Sequence, residues 1–173
     1  MGTTEKVWAT AVLIAMATVS VHGEDFSVPK TISKEAQAAA AKFSKAARNV
    51  QLPAADDIEG WKKVQAEMEQ KRAAANAAVV QEYQPEIQSR KLGGVSVLDI
   101  KPKDWQESQR VLVYTHGGAY TLYSAKSRLM SAVPMAHDTG LRVISVDYTL
   151  APHAKWQEVT SQVVAVVQAL VKL

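Results

Sequence analysis

The sequence predicts an α/β fold: a mixed sheet that opens with antiparallel strands, continues with parallel strands and crossover helices, and is preceded by two helices. Three observations predict it. Apolar residues recur at helical spacing up to about residue 83, and that rhythm then stops. Beyond residue 86, short β-prone runs alternate with helical stretches, the pattern of parallel strands joined by right-handed crossovers. Two of those runs, Val111–Thr115 and residues 142–147 (RVISVD), are almost continuously apolar, as strands covered on both faces must be.

Composition sets the bounds. The 173 residues suit one small domain or a piece of a larger one, and 47% hydrophobic with 21% charged residues excludes wholesale disorder. The net charge of +3 is scattered. Lys42, Lys45 and Arg48 share a helical stretch, but aromatic residues do not interleave with them and Asp56, Asp57 and Glu59 follow, which argues against nucleic acid. With no cysteine there is no disulfide and no thiolate metal site, and no pair of histidines or carboxylates has metal-ligand spacing. Near the start, Lys6 precedes an uncharged apolar run over residues 7–21 (VWATAVLIAMATVSV). Fifteen residues are too few for a bilayer core that wants ~20. The run fits a signal-peptide core with small residues near Gly23, so residues 1–23 are expected to be a cleaved signal and the protein periplasmic or secreted.

The elements follow in order. Residues 24–32 read as an extended lead-in carrying Pro29, and Ser33 is a good N-cap for an alanine-rich helix over 34–48. Residues 49–53 break it. A second helix is expected over 56–83, with Asp56, Asp57 and Glu59 at its positive end and an inward stripe of Ile58, Trp61, Val64, Met68, Ala75, Ala78 and Val79. Pro85 stops it. Residues 86–91 and 95–101 read as strands joined at Gly93-Gly94, a hairpin turn, and 104–109 is a polar connection. After the strand at 111–115, a helix is expected over 127–139 with Gly140 as its stop, then the strand 142–147. A last helix over 156–171 turns Val159, Val163, Val166, Val167 and Leu170 inward. The tryptophans at 8, 61, 105 and 156 are dispersed, as packing groups are.

The chemistry concentrates where the strand Val111–Thr115 runs into His116-Gly117-Gly118-Ala119-Tyr120. Glycines permit φ > 0 and leave no Cβ in the way, so such a turn can present backbone N–H groups to a ligand. Attack on an ester carbonyl drives negative charge onto oxygen, and each preorganised N–H donor is worth about 3–4 kcal/mol to that charge. Read alone, the turn serves equally as a tight bend with a capped histidine. A second motif in register argues otherwise: Asp147-Tyr148-Thr149-Leu150-Ala151-Pro152-His153 ends the next strand, one helix later.

Together these motifs resemble the hormone-sensitive-lipase-like esterases of the α/β-hydrolase fold. That family carries His-Gly-Gly-Gly and an aromatic residue after its third strand, and Asp-Tyr-Arg-Leu-Ala-Pro-Glu after its fourth. The resemblance implies a partial α/β-hydrolase sheet over 86–173, preceded over 24–85 by cap helices folded across an acyl-binding pocket. It makes Gly118 and Ala119 the oxyanion N–H donors, His116 and Gly117 the supports of the loop, and Tyr120 a pocket wall. Ala119 replaces the third glycine and is expected at φ < 0. Asp147 becomes a structural residue bonding the turn after its strand, rather than a catalytic acid. Thr149 and His153 stand where the family has Arg and Glu, so an ion pair between those positions is absent. His137 and His153 are expected to be exposed, and His22 lies in the cleavage region. The implied reaction is acyl transfer to serine and then water, on a small-molecule ester or lactone, with no cofactor, no metal, no nucleic-acid partner and no stable membrane span.

The family also needs a Gly-x-Ser-x-Gly elbow, then an acid and a histidine. No two glycines here lie four apart, and Ser124, Ser127, Ser131 and Ser161 all lack that setting. The nucleophile, acid and base are thus absent from these residues, and the expectation is a chain truncated before the elbow and inactive alone. The strand 111–115 would then offer an unpaired apolar edge, giving marginal stability with aggregation or dimerisation. One alternative is a non-catalytic binding or interaction module built on the same half-fold. A flavodoxin-like nucleotide site is disfavoured, because His116 and Tyr120 occupy a loop that should be small and lead straight into a helix.

Overall fold

The computed structural model describes residues 28–47 and 52–172. The expected signal segment, with Trp8 and His22, lies outside the described residues. Two compact units divide the chain, Met1–Gln51 and Leu52–Leu173. In the first, helix α1 (Lys34–Ala47) starts as its sequence predicts: Ser33 Oγ accepts the Ala36 N–H at 3.2 Å, and Gln37 Nε2 donates to Ile32 O at 2.8 Å.

The second unit begins with α2 (Ile58–Tyr83). It starts two residues later than expected because Asp57 is its cap and not a helical residue, accepting the Gly60 N–H at 2.8 Å. Gln84 closes the helix at φ 48°, donating its N–H to Val80 O, and Pro85 follows. Strands β1 (Glu86–Leu92) and β2 (Val95–Lys101) form the predicted hairpin. Both turn glycines have positive φ, as a two-residue primed turn requires. A Cβ on Gly93 would sit 2.4 Å from Ala165 O, so the turn also needs glycine for packing. Then come β3 (Val111–Thr115), α3 (Leu129–Thr139), β4 (Arg142–Val146) and α4 (Trp156–Val171). α3 begins at Leu129 rather than 127, because Ser124 and Ser127 cap one another: each backbone N–H donates to the other's Oγ, at 2.8 and 3.1 Å. Gly140 ends it in the left-handed region, as predicted.

The sheet order is β1-β2-β4-β3. β1 and β2 pair antiparallel, as do β2 and β4, whereas β3 and β4 run parallel with Val113 beside Ile144. β4 is therefore interior and buried on both faces. On one face Ile144 and Val146 meet Val159 and Val166 of α4. On the other, Val143 and Ile100 meet Ala132, Val133 and Ala136 of α3, with Val79, Val80 and Tyr83 of α2 behind. Each fully buried Val or Ile is worth about 1.5–3 kcal/mol. Among the described residues no helix is long and apolar enough to cross a membrane.

Several side chains depart from their expected places. Val167 is 40% exposed and Trp156 66% exposed. α4 seats on the sheet through Val159, Val163, Val166 and Leu170. Val167 is one residue past Val166, turned about 100° away, and among the described residues β3 is paired on one side only, by β4. Trp156 opens α4 before the helix reaches the sheet. Ile58 and Ala78 are exposed as well. The face α2 turns to the rest of its unit is not simply apolar: Gln65, Glu69 and Arg72 reach loop groups between residues 121 and 151, and Asn76 the first turn of α3, the four being spaced 4, 3 and 4.

Candidate active site

The loop after β3 sits at the carboxyl end of the parallel strands, where open α/β sheets place ligands. His116, Gly117, Gly118, Ala119 and Tyr120 line one cleft of about 390 Å³, together with Thr115, Tyr148 and the α4 residues Val159, Thr160 and Val163. No charged side chain is in that lining. All five residues singled out in the loop are thus brought together.

Loop shape follows from where its carbonyls go. Gly117 O lies 3.1 Å from His116 Nδ1. Gly118 O accepts the N–H groups of Thr121 and Leu122, each at 3.0 Å, and the Thr121 hydroxyl at 3.2 Å. In a trans peptide the C=O and the following N–H point opposite ways. Tying back Gly117 O therefore turns the Gly118 N–H outward, and tying back Gly118 O does the same for Ala119. Among the described residues no hydrogen bond takes either N–H. Gly118 is at φ 135°, and a Cβ there would come within 2.2 Å of Leu122 O, so this position admits only glycine.

Ala119 departs from expectation. Its φ is 53°, in the left-handed region, and Tyr120 follows at 61°. The loop's bonds to Thr121 and Leu122 need that curl, so alanine takes the conformation the third glycine would have taken freely. Tyr120 is 54% exposed at the mouth, and its carbonyl accepts the Ala151 N–H at 2.8 Å, joining the two sequence motifs.

His116 is buried and stacked on Tyr148, ring centroids 4.2 Å apart. The Tyr148 hydroxyl donates to His116 O at 2.5 Å, and the hydroxyl oxygen itself lies 3.2 Å from His116 Nδ1. Since that hydroxyl proton is already committed, the hydrogen at Nδ1 belongs to the imidazole. Nε2 is buried without a hydrogen-bond partner. Burial holds the imidazole below its ordinary pKa, against the opposing pull of Gly117 O and Asp147. Burial likewise pushes the Tyr148 phenol up to about 12. Buried, stacked on Tyr148 and tied through Nδ1, His116 is held in place against the loop.

Asp147 is placed differently from expectation: its Oδ1 accepts the Ala125 N–H at 2.8 Å, ahead of α3, rather than bonding the turn after β4. That turn is held instead by Gln162, which accepts the Thr149 N–H at 2.8 Å and donates to Thr149 Oγ1 at 2.9 Å. His153 and His137 are exposed, the latter tilted against Tyr83. Tyr148 and the α4 residues of the cleft were not singled out by the sequence. Tyr148's only signal was its place in the second motif; Val159 and Val163 looked like any core stripe. Among the described residues no cluster could hold a metal ion.

Comparison with known proteins finds the same kind of fold. Residues 112–173 match a family described as having the alpha/beta hydrolase fold. Over 75 residues the chain is 36% identical to a protein named acetyl-hydrolase LipR from Mycobacterium tuberculosis, spanning 43% of this chain and 24% of that protein. Over 43 residues it is 49% identical to a protein named esterase from Gibberella moniliformis, spanning 25% of this chain and 14% of the other. The crystal structure of a hormone-sensitive lipase from a metagenome library is similar at a TM-score of 0.50 and 28% identity, over 61% of this chain and 36% of that one. An esterase crystal structure matches at a TM-score of 0.63 and 19% identity, over 84% and 45%, which is a likeness of fold. The chain thus spans less than half the length of each of these relatives.

Proposed function

We propose that this chain, part of an α/β-hydrolase of the hormone-sensitive-lipase-like kind, serves the hydrolysis of carboxylic esters or lactones by receiving the oxyanion of the acyl-transfer intermediate. One observation carries the reading: Gly118 and Ala119 line an uncharged cleft with their N–H groups unclaimed, while the carbonyls of the same peptides are tied back. Such donors are fixed before charge develops, and low polarity around them strengthens each bond. Val159, Val163 and Tyr120 offer apolar surface for the acyl or alcohol group. The names of the relatives, an acetyl-hydrolase and esterases, support the same substrate class.

The residues at hand supply the electrostatic half of the site. They hold no Gly-x-Ser-x-Gly sequence, so the attacking serine and its acid–base partners are not among them. We therefore expect no serine-dependent turnover from these 173 residues alone. Two measurements test the reading. In a proton–nitrogen NMR titration with butyrate, whose carboxylate mimics the oxyanion, the Gly118 and Ala119 amides should move together and saturate. Movement of neither would contradict it. Incubation with a serine-reactive alkylphosphonate should give no adduct by mass spectrometry; an adduct abolished by one serine substitution would show a nucleophile this account does not contain.

A further inference from the structure

The cleft loop is not held by its own strand alone. Gln65 lies in the first third of α2, and its Nε2 donates to Thr121 O at 2.9 Å and to Ala151 O at 3.1 Å. Those carbonyls belong to the two loops that follow the parallel strands. Thr121 in turn gives its N–H and its hydroxyl to Gly118 O, the carbonyl whose direction fixes the Ala119 N–H. Ala151 gives its N–H to Tyr120 O, on the other side of the same bend. Both amide protons of one half-buried side chain are thus spent on Thr121 and Ala151, the two residues whose own N–H groups brace residues 118–120.

We propose that Gln65 is a positioning residue for the oxyanion amides, setting their direction through Thr121 and Ala151 without touching substrate. The inference rests on the function proposed above and adds a residue that neither motif contains. Chemistry selects glutamine here. Two carbonyl oxygens need two donors from one point, which an apolar side chain lacks and a carboxylate would repel. Ala119 and Tyr120 sit at positive φ, a curl that persists only where surrounding bonds over-determine it. Gln65 supplies two such bonds from outside the loop.

The test compares wild type with Gln65→Met, Gln65→Glu and Gln65→Lys in the full chain, read by NMR. Without butyrate, Met and Glu should displace the Gly118 and Ala119 amide resonances while those of the β1–β2 hairpin stay in place. With butyrate, both should weaken binding about tenfold, roughly the net worth of one hydrogen bond. Lys, which can donate to both carbonyls, should stay close to wild type. Should Met fail to fold, the contrast of Glu with Lys decides the matter. Unmoved Gly118 and Ala119 resonances in Met and Glu, or an equal loss in Lys and Glu, would overturn the role of Gln65. If wild type itself ignored butyrate, the oxyanion reading would fall, and the resonances measured without butyrate would still judge Gln65.

Discussion

Ala119 gives the site its individual character. Left-handed backbone costs a non-glycine residue about 1–2 kcal/mol, and here the penalty falls next to Tyr120, in the same region. Restoring glycine should relieve it: Ala119→Gly is predicted to raise stability by about 1 kcal/mol in denaturant unfolding, a net gain after the greater freedom of the unfolded glycine is counted. A loss of stability would mean that alanine is at ease there. His116 makes a second prediction. Its folded pKa lies below the ordinary 6.5, so the unfolded chain takes up a proton first as pH falls. The stability tied to neutral His116 is complete above about pH 6.5 and declines below it, by at most about 1.4 kcal/mol per pH unit. His116→Asn, which cannot titrate, should flatten the unfolding midpoint between pH 7 and 5. An unchanged slope would assign that loss to another group.

Asp99 in β2 governs the packing of elements. It is 2% exposed by side chain and accepts Arg142 of β4 through two bonds, at 2.7 and 2.6 Å, and Arg90 of β1 at 2.8 Å. Burial raises its pKa, but the two guanidinium groups outweigh burial and hold the carboxyl below its ordinary range. Removing the buried partner should be severe, whereas Arg90, 45% exposed, sits in water and contributes little. Asp99→Asn is predicted to cost about 3 kcal/mol, and Arg90→Ala less than about 1. Equal losses would show that the network acts as one unit. The strands and helices themselves were legible in the sequence, because strand alternation, Gly93-Gly94, Pro85 and Gly140 act through neighbouring residues. The polar seam of α2 was not. Gln65, Glu69, Arg72 and Asn76 look like a solvated helix face, since their partners lie between 51 and 86 residues away.

At the scale of the whole molecule, the sheet is asymmetric. β1 ends it on one side with charged side chains, whereas β3 ends it on the other with Val111–Thr115, beside the exposed Val167 and Val171 of α4. An uncharged edge of this kind invites pairing with another chain. We propose that this edge pairs with a second copy; Val167→Lys, at a 40% exposed position, should then leave the fold intact and lower the association read by sedimentation. Association unchanged by the lysine would place the contact elsewhere. The site shows the same division between local and distant causes. The His-Gly-Gly turn was legible because glycine at Gly118 answers a local steric demand, 2.2 Å from Leu122 O. Tyr148 beneath His116 and Gln65 above the bend were not, since each depends on elements that meet only in the folded molecule.

If the Gly118 and Ala119 amides are set to receive an oxyanion, a crystal structure of the chain holding a non-reactive alkylphosphonate will show it. One anionic oxygen should lie about 2.7–3.1 Å from both amide nitrogens, with the alkyl group against Val159 and Val163. An anion bound elsewhere, or either N–H engaged by a protein carbonyl, would contradict it.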